Sequence, residues 1–315
     1  MRIDEILATT QPCFSVEFFP PKTEEGVEQL RETARAMREL EPNFVSITYG
    51  AGGSTRVGTV EMADMLRNEL GLETMAHLSC VGETVEGLRA ILDKLRDTGI
   101  DNILALRGDP PRGQEDFVQP QGGLANAAEL AAFISEHYEF AIGGACFPEV
   151  HPEAPDLDSD LAYLKTKVEG GASFLITQLF FETQVYLDFV AAARAKGITV
   201  PIMAGVMPIA NYAQVRRVCE LCDASIPASL SRAMEGLGGD ERGEFDLGVA
   251  YATQQCAELL RAGCPGIHFY GLNKAPAVRA ILSALHAARP WERANRERGA
   301  SNEELDLGAR REPVI

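Results

Sequence analysis

Glu17 lies inside the apolar run CFSVEFFPPK, residues 13–22, between Val16 and Phe18. A carboxylate removed from water is unfavourable unless it is paired or keeps its proton. Glu17 therefore either lies on a polar side of its strand or is an acid whose surroundings favour the neutral form. A second carboxylate, Asp109, follows Arg107 and Gly108 in NILALRGDPP, a more polar setting that predicts an ionised side chain. Two acids held in opposite protonation states divide the work of acid catalysis and charge stabilisation. Other polar side chains stand where apolar runs end or just inside them: Thr48 and Tyr49 in FVSITYGAGGS, His77 in TMAHLSC, His151 in FPEVHPEAPD, Gln178 in FLITQLFF, and Asn273 with Lys274 in HFYGLNK.

Positioning these groups falls to eight short apolar runs, at residues 14–19, 44–49, 74–80, 102–108, 141–147, 174–181, 201–207 and 266–272. Most are separated by helical patterns such as Val85, Leu88, Ile91, Leu92 and Leu95, which start at Thr84 and stop at Gly99. Near-continuous apolar strands alternating with helices predict a parallel sheet. Eight units of roughly 30 residues suit a single (β/α)8 TIM barrel, whose active site gathers at the C-terminal strand ends. The competing doubly wound sheet favours a glycine-rich turn after its first strand, and here that strand ends in Pro20 and Pro21. The barrel is expected over residues 1–290. A short helix precedes it, extra helices lie between strands seven and eight, and residues 234–245 form an exposed loop. Residues 291–315 read as a charged, poorly ordered tail.

Each candidate also has a plainer reading. Glu17 could be a structural carboxylate paired with a lysine across the barrel, and His77 a satisfied core histidine. RGDPP could be a simple turn, and GAGGS could make room for a ligand or a tight bend. CELC, residues 219–222, has metal-site spacing but lies in a helical pattern without a second pair. The five histidines form no HxH or HExxH pattern, so no metal is expected. The expected setting is cytoplasmic, where the seven scattered cysteines predict free thiols. The N-terminal stretch carries Asp4 and Glu5 where a secretion signal needs apolar residues, and no run is long enough for a membrane span. A net charge of −17 argues against nucleic acid and anionic membrane as partners.

Taken together and in order, FSVEFFPPK, FVSITYGAGGS, HLSC, NILALRGDPP, FPEVHPEA, ASFLITQLFF and HFYGLNKA resemble the sequence blocks of the methylenetetrahydrofolate reductase family, from residue 14 to about residue 285. The resemblance is to the short bacterial type, the catalytic barrel without a regulatory extension. It implies a barrel holding non-covalent FAD, reduced by NADH or NADPH. The flavin then reduces 5,10-methylenetetrahydrofolate to 5-methyltetrahydrofolate in a ping-pong cycle that feeds methionine synthesis. It also implies a homo-oligomer whose partners are small molecules. By motif match Glu17 is the general acid, and Asp109 contacts both pterin and flavin. Gln178, Tyr212 and Lys274 meet the folate, with Tyr212 where a phenylalanine can stack on substrate and Lys274 where some relatives have arginine. Around FAD the resemblance places Thr48, Tyr49, Ala51, His77, Arg107 and Gly108 on one stretch, and Phe147, His151, Ala154, Asp160, Tyr163, Thr166 and Lys167 on another. Phe147 stands where a tyrosine is frequent and Asn126 where an aromatic is common, so those two flavin contacts differ here. A different flavin barrel acting on a small amine is the rival enzyme. A flavin-binding regulatory subunit is the non-enzyme reading.

Overall fold

The computed structural model describes residues 1–49, 56–108 and 119–292. Eight parallel strands close into a barrel in chain order. They are β1 (Cys13–Phe18), β2 (Phe44–Ile47), β3 (Thr74–Ser79), β4 (Asn102–Leu106), β5 (Ala141–Cys146), β6 (Phe174–Thr177), β7 (Ile202–Val206) and β8 (Gly266–Phe269). Around them run α2 (Glu24–Arg38), α3 (Arg56–Asp64), α4 (Val85–Asp97), α5 (Ala127–His137), α6 (Leu157–Glu169) and α7 (Thr183–Ala195). Three helices, α8 (Tyr212–Cys222), α9 (Ala228–Glu235) and α10 (Glu241–Arg261), fill the connection between β7 and β8, and α11 (Ala275–Ala288) follows. None of the described helices is long and apolar enough to cross a membrane.

Alternation along the strands builds two cores. One set, including Val16, Phe18, Val45, Ile47, Leu78 and Ile103, packs outward against helix residues such as Leu30, Leu88, Leu92 and Leu164. The other set, Cys13, Phe44, Met75, Leu104, Phe174 and Met203, fills the N-terminal end of the barrel. There the preceding helix α1 (Ile3–Thr9) plugs the opening with Ile3, Ile6 and Leu7, all buried. Higher in the same interior the residues turn polar or small: Ser15, Glu17, Ser46, His77, Gly205 and His268. The apolar plug fills the N-terminal end, and the polar lining lies above it toward the C-terminal strand ends.

The caps follow local sequence. Thr23 accepts from the Gly26 amide and Thr84 from the Gly87 amide, each satisfying a free first-turn donor. Asn126, read above as a changed flavin contact, caps α5 instead and accepts from the amides of Ala128 and Glu129. Residues 234–245 are not one exposed loop. Met234 is 1% exposed within α9, and Asp240 caps α10 by accepting from the Arg242 amide. The acidic residues that suggested a loop form the first turn of α10, where they suit the helix dipole.

One glycine of the interior is set by close approach. A Cβ on Gly205 would lie 2.2 Å from the Thr177 carbonyl oxygen and 2.6 Å from the Tyr270 ring. Gly205→Ala should therefore destabilise the protein by about 1–3 kcal/mol, the usual scale of overpacking. Thermal unfolding of the two proteins measures this. An unchanged midpoint would mean the β6–β8 wall yields without strain.

Candidate active site

Glu17 is the third inward residue of β1, after Cys13 and Ser15, and is 6% exposed. Its chain neighbours Val16 and Phe18 face the helices, so the apolar run that encloses it in sequence does not surround it in space. No lysine pairs with it among the described residues. Its Oε2 lies 3.5 Å from Nε2 of His77 on β3 and 3.6 Å from Nε2 of His268 on β8. Burial pushes the His77 imidazole down to about 4, against the pull of Glu17 and with a further push from His268. The ring is then neutral at pH 7, and its contact with Glu17 is not an ion pair. Strand register places Ser15 beside His268, and Ser15 Oγ is 2.7 Å from His268 Nδ1. His268 was not singled out from the sequence. Its signal was the alternation Gly266, His268, Tyr270, which puts the ring on the same inner face as Glu17.

A second cluster forms beyond β4, β5 and α6. Arg107 makes a double contact with Glu153, at 2.5 and 2.7 Å. The Glu153 amide donates to His151 Nδ1 and the His151 amide donates to Asp160. Phe147 packs edge-on against His151, with centroids 4.5 Å apart. Lys167 is 5% exposed, donates to the Ala145 carbonyl at 2.6 Å, and lies 5.6 Å from the Tyr163 ring centre. Burial lowers the pKa of Lys167 and of His151 and raises that of Asp160. Ala154 closes the turn by donating its amide to the His151 carbonyl, while Thr166 is exposed on α6. Gly108 has φ +86°, and a Cβ there would meet Ser79 Oγ at 1.9 Å.

The remaining candidates spread around the barrel mouth. Thr48 and Tyr49 follow β2, and the Thr48 amide donates to the Phe18 carbonyl. Gln178 follows β6 and is partly exposed. Lys274 lines a cleft of about 220 Å³ together with Tyr270, Asn211, Gln214 and Phe245. Tyr212, expected to offer a stacking face, is 7% exposed and sits in an apolar cluster with Leu179, Phe181 and Met207. Asp109, Ala51 and the rest of GAGGS lie outside the described residues, as does the chain beyond residue 292.

The donor set suits a dinucleotide cofactor. A guanidinium and an imidazole are joined through Glu153, and the buried ammonium of Lys167, bound to the Ala145 carbonyl, is close enough to act on His151, the chemistry that receives a pyrophosphate. Among the described residues no group of three or more His, Cys, Asp or Glu side chains could hold a metal ion. All seven cysteines are free, including Cys219 and Cys222 of α8.

Residues 2–286 match the family described as Methylenetetrahydrofolate reductase. The 5,10-methylenetetrahydrofolate reductases of Salmonella typhimurium and Escherichia coli are 37% and 36% identical over 285 residues, covering 90% of this chain and 94% of each relative. A methylenetetrahydrofolate reductase (NADH) of Arabidopsis thaliana is 41% identical over 313 residues, covering 92% of this chain. The chain spans about half the length of that plant relative, 53%. Among solved structures, a protein from Clostridium thermocellum that binds two copies of 5-methyl-5,6,7,8-tetrahydrofolic acid shares the fold. Its TM-score is 0.63 at 16% identity, covering 90% of this chain and 97% of that one.

Proposed function

The chain belongs to the methylenetetrahydrofolate reductase family, and from that premise we propose that it reduces 5,10-methylenetetrahydrofolate to 5-methyltetrahydrofolate. NADH or NADPH supplies the electrons through a bound FAD, and NADH, the donor named for the plant relative, is the first to test. The observation that carries this reading is Glu17, a buried carboxylate met by two imidazoles near the mouth of a barrel of this family. Bound FAD would take a hydride from the nicotinamide and later deliver it to the methylene carbon.

The chain's own part is to bind, orient and move one proton. The methylene group bridges N5 and N10 of the folate. Protonation at N10 breaks the bond from N10 to the methylene carbon and leaves a cationic iminium at N5. Glu17 gives that proton and regains one from solvent in each turnover. Asp109, next in sequence after Gly108, would balance that cation with its negative charge. Gln178 holds the pterin, and Lys274 with Tyr270 lines the cleft that receives the rest of the folate. Arg107, His151 and Lys167 would hold the pyrophosphate of FAD, and Phe147, Tyr163, Thr48, Tyr49 and His77 would surround the remainder. The two substrates take turns at one flavin face, which gives ping-pong kinetics. A cytoplasmic homo-oligomer belongs to the same reading.

Lys167→Met keeps the buried stem and removes the ammonium. It should weaken FAD binding by roughly tenfold or more, the scale of one charge-assisted hydrogen bond. Flavin absorbance retained after gel filtration, with circular dichroism on the same sample, tests this. Wild-type flavin retention in the variant would remove Lys167 from the cofactor site. Protein that neither carries nor takes up FAD would remove the cofactor itself.

A further inference from the structure

We infer that His268, with its tautomer set by Ser15, is a positioning residue for the acid Glu17. It holds one carboxyl oxygen so that the other presents the proton to substrate. This rests on the reading of Glu17 given above.

Both imidazole Nε2 atoms converge on the same oxygen. Oε2 is 3.5 Å from His77 and 3.6 Å from His268, slightly beyond hydrogen-bond range. Catalytic hydrogen bonds are often long without substrate and shorten when it binds. His77 Nε2 has no other partner: it is a buried polar atom without a hydrogen bond among the described residues. His268 is 1% exposed and is enclosed by Phe44, which stacks at 6.2 Å, and by Tyr270, edge-on at 5.3 Å.

Ser15 decides what His268 offers. When the Ser15 hydroxyl donates to Nδ1, the ring's proton lies on Nε2 and points at Glu17. The His268 N–H then faces Oε2, with His77 Nε2 at a similar distance on the other side, which makes Oε2 the carbonyl oxygen of the protonated acid and leaves the O–H on Oε1. The same His268 N–H stabilises the carboxylate once the proton has gone. The titratable groups facing this carboxylate among the described residues are His77 from β3 and His268 and Tyr270 from the β8 side, and burial, then the Glu17 charge, raises the pKa of Tyr270.

The sign of the pH effect follows. Removing a donor to the anion favours the protonated acid, so the alkaline limb of the folate half-reaction should move to higher pH. His268→Gln removes the ring, and Ser15→Ala keeps the ring but removes the group that sets its tautomer. In holoenzyme reduced with NADH and mixed with methylenetetrahydrofolate across a pH series, His268→Gln should move the limb to higher pH and slow the plateau about tenfold. Ser15→Ala should move it in the same direction by less. A limb that stays in place in Ser15→Ala, whatever happens to its rate, would reduce this pair to structural support and overturn the inference. Wild-type holoenzyme whose flavin is not reoxidised by the folate would instead sink the functional reading.

Discussion

Glu17→Gln should slow reduction of methylenetetrahydrofolate by about 10²- to 10⁴-fold, the scale of general acid catalysis, while NADH still reduces the flavin at nearly the original rate. Glutamine fills the same space in β1, and its amide can still meet the imidazoles of His77 and His268. The outward packing of Val16 and Phe18 against the helices is untouched, so the barrel should survive. What the amide lacks is a proton to give to N10, and without it the methylene bridge stays closed. Hydride transfer from NADH needs no such proton. Stopped-flow measurement of the two half-reactions separates these steps. A folate half-reaction within tenfold of the wild-type rate would make Glu17 structural and move the acid elsewhere.

Asp109→Asn should keep FAD and slow the folate half-reaction by about 10²- to 10³-fold, as removal of one preorganised electrostatic group does. The cluster beyond β4 and β5 already pairs the Arg107 guanidinium with Glu153, and a cation on the folate needs an opposite charge of its own. Opening the methylene bridge creates such a cation, and a carboxylate directly after Gly108 supplies the opposite charge. The step from NADH to flavin forms no iminium and should suffer less. Equal slowing of both half-reactions would mean that Asp109 acts on the flavin alone.

Much of the fold was legible because its signals are local. Strand alternation in residues 13–18 and 266–270 and helix caps such as Thr84 depend on neighbours a few residues apart. Glu17 was legible for the same reason, as an acid in an apolar run. Its true surroundings were not. The partners that meet Glu17 come from β3 and β8, and the pairing of Ser15 with His268 arises only when the barrel closes across 253 residues of sequence. The double contact of Arg107 with Glu153 joins two loops in the same way. Tyr212 was read as a stacking surface, and its burial among Leu179, Phe181 and Met207 depends on how α8 packs over the ends of β6 and β7. Residues 234–245 depart from the expected loop because glycine and acidic residues signal a loop and a helix start equally well.

The central claim is that one bound flavin carries electrons from a nicotinamide to a folate in this barrel. Its most direct test is an anaerobic titration of the purified holoenzyme, followed by flavin absorbance. NADH should bleach the oxidised flavin spectrum, and methylenetetrahydrofolate added afterwards should restore it, with 5-methyltetrahydrofolate appearing in equal amount. A flavin that NADH leaves oxidised, or a reduced flavin that methylenetetrahydrofolate leaves bleached, would contradict the account.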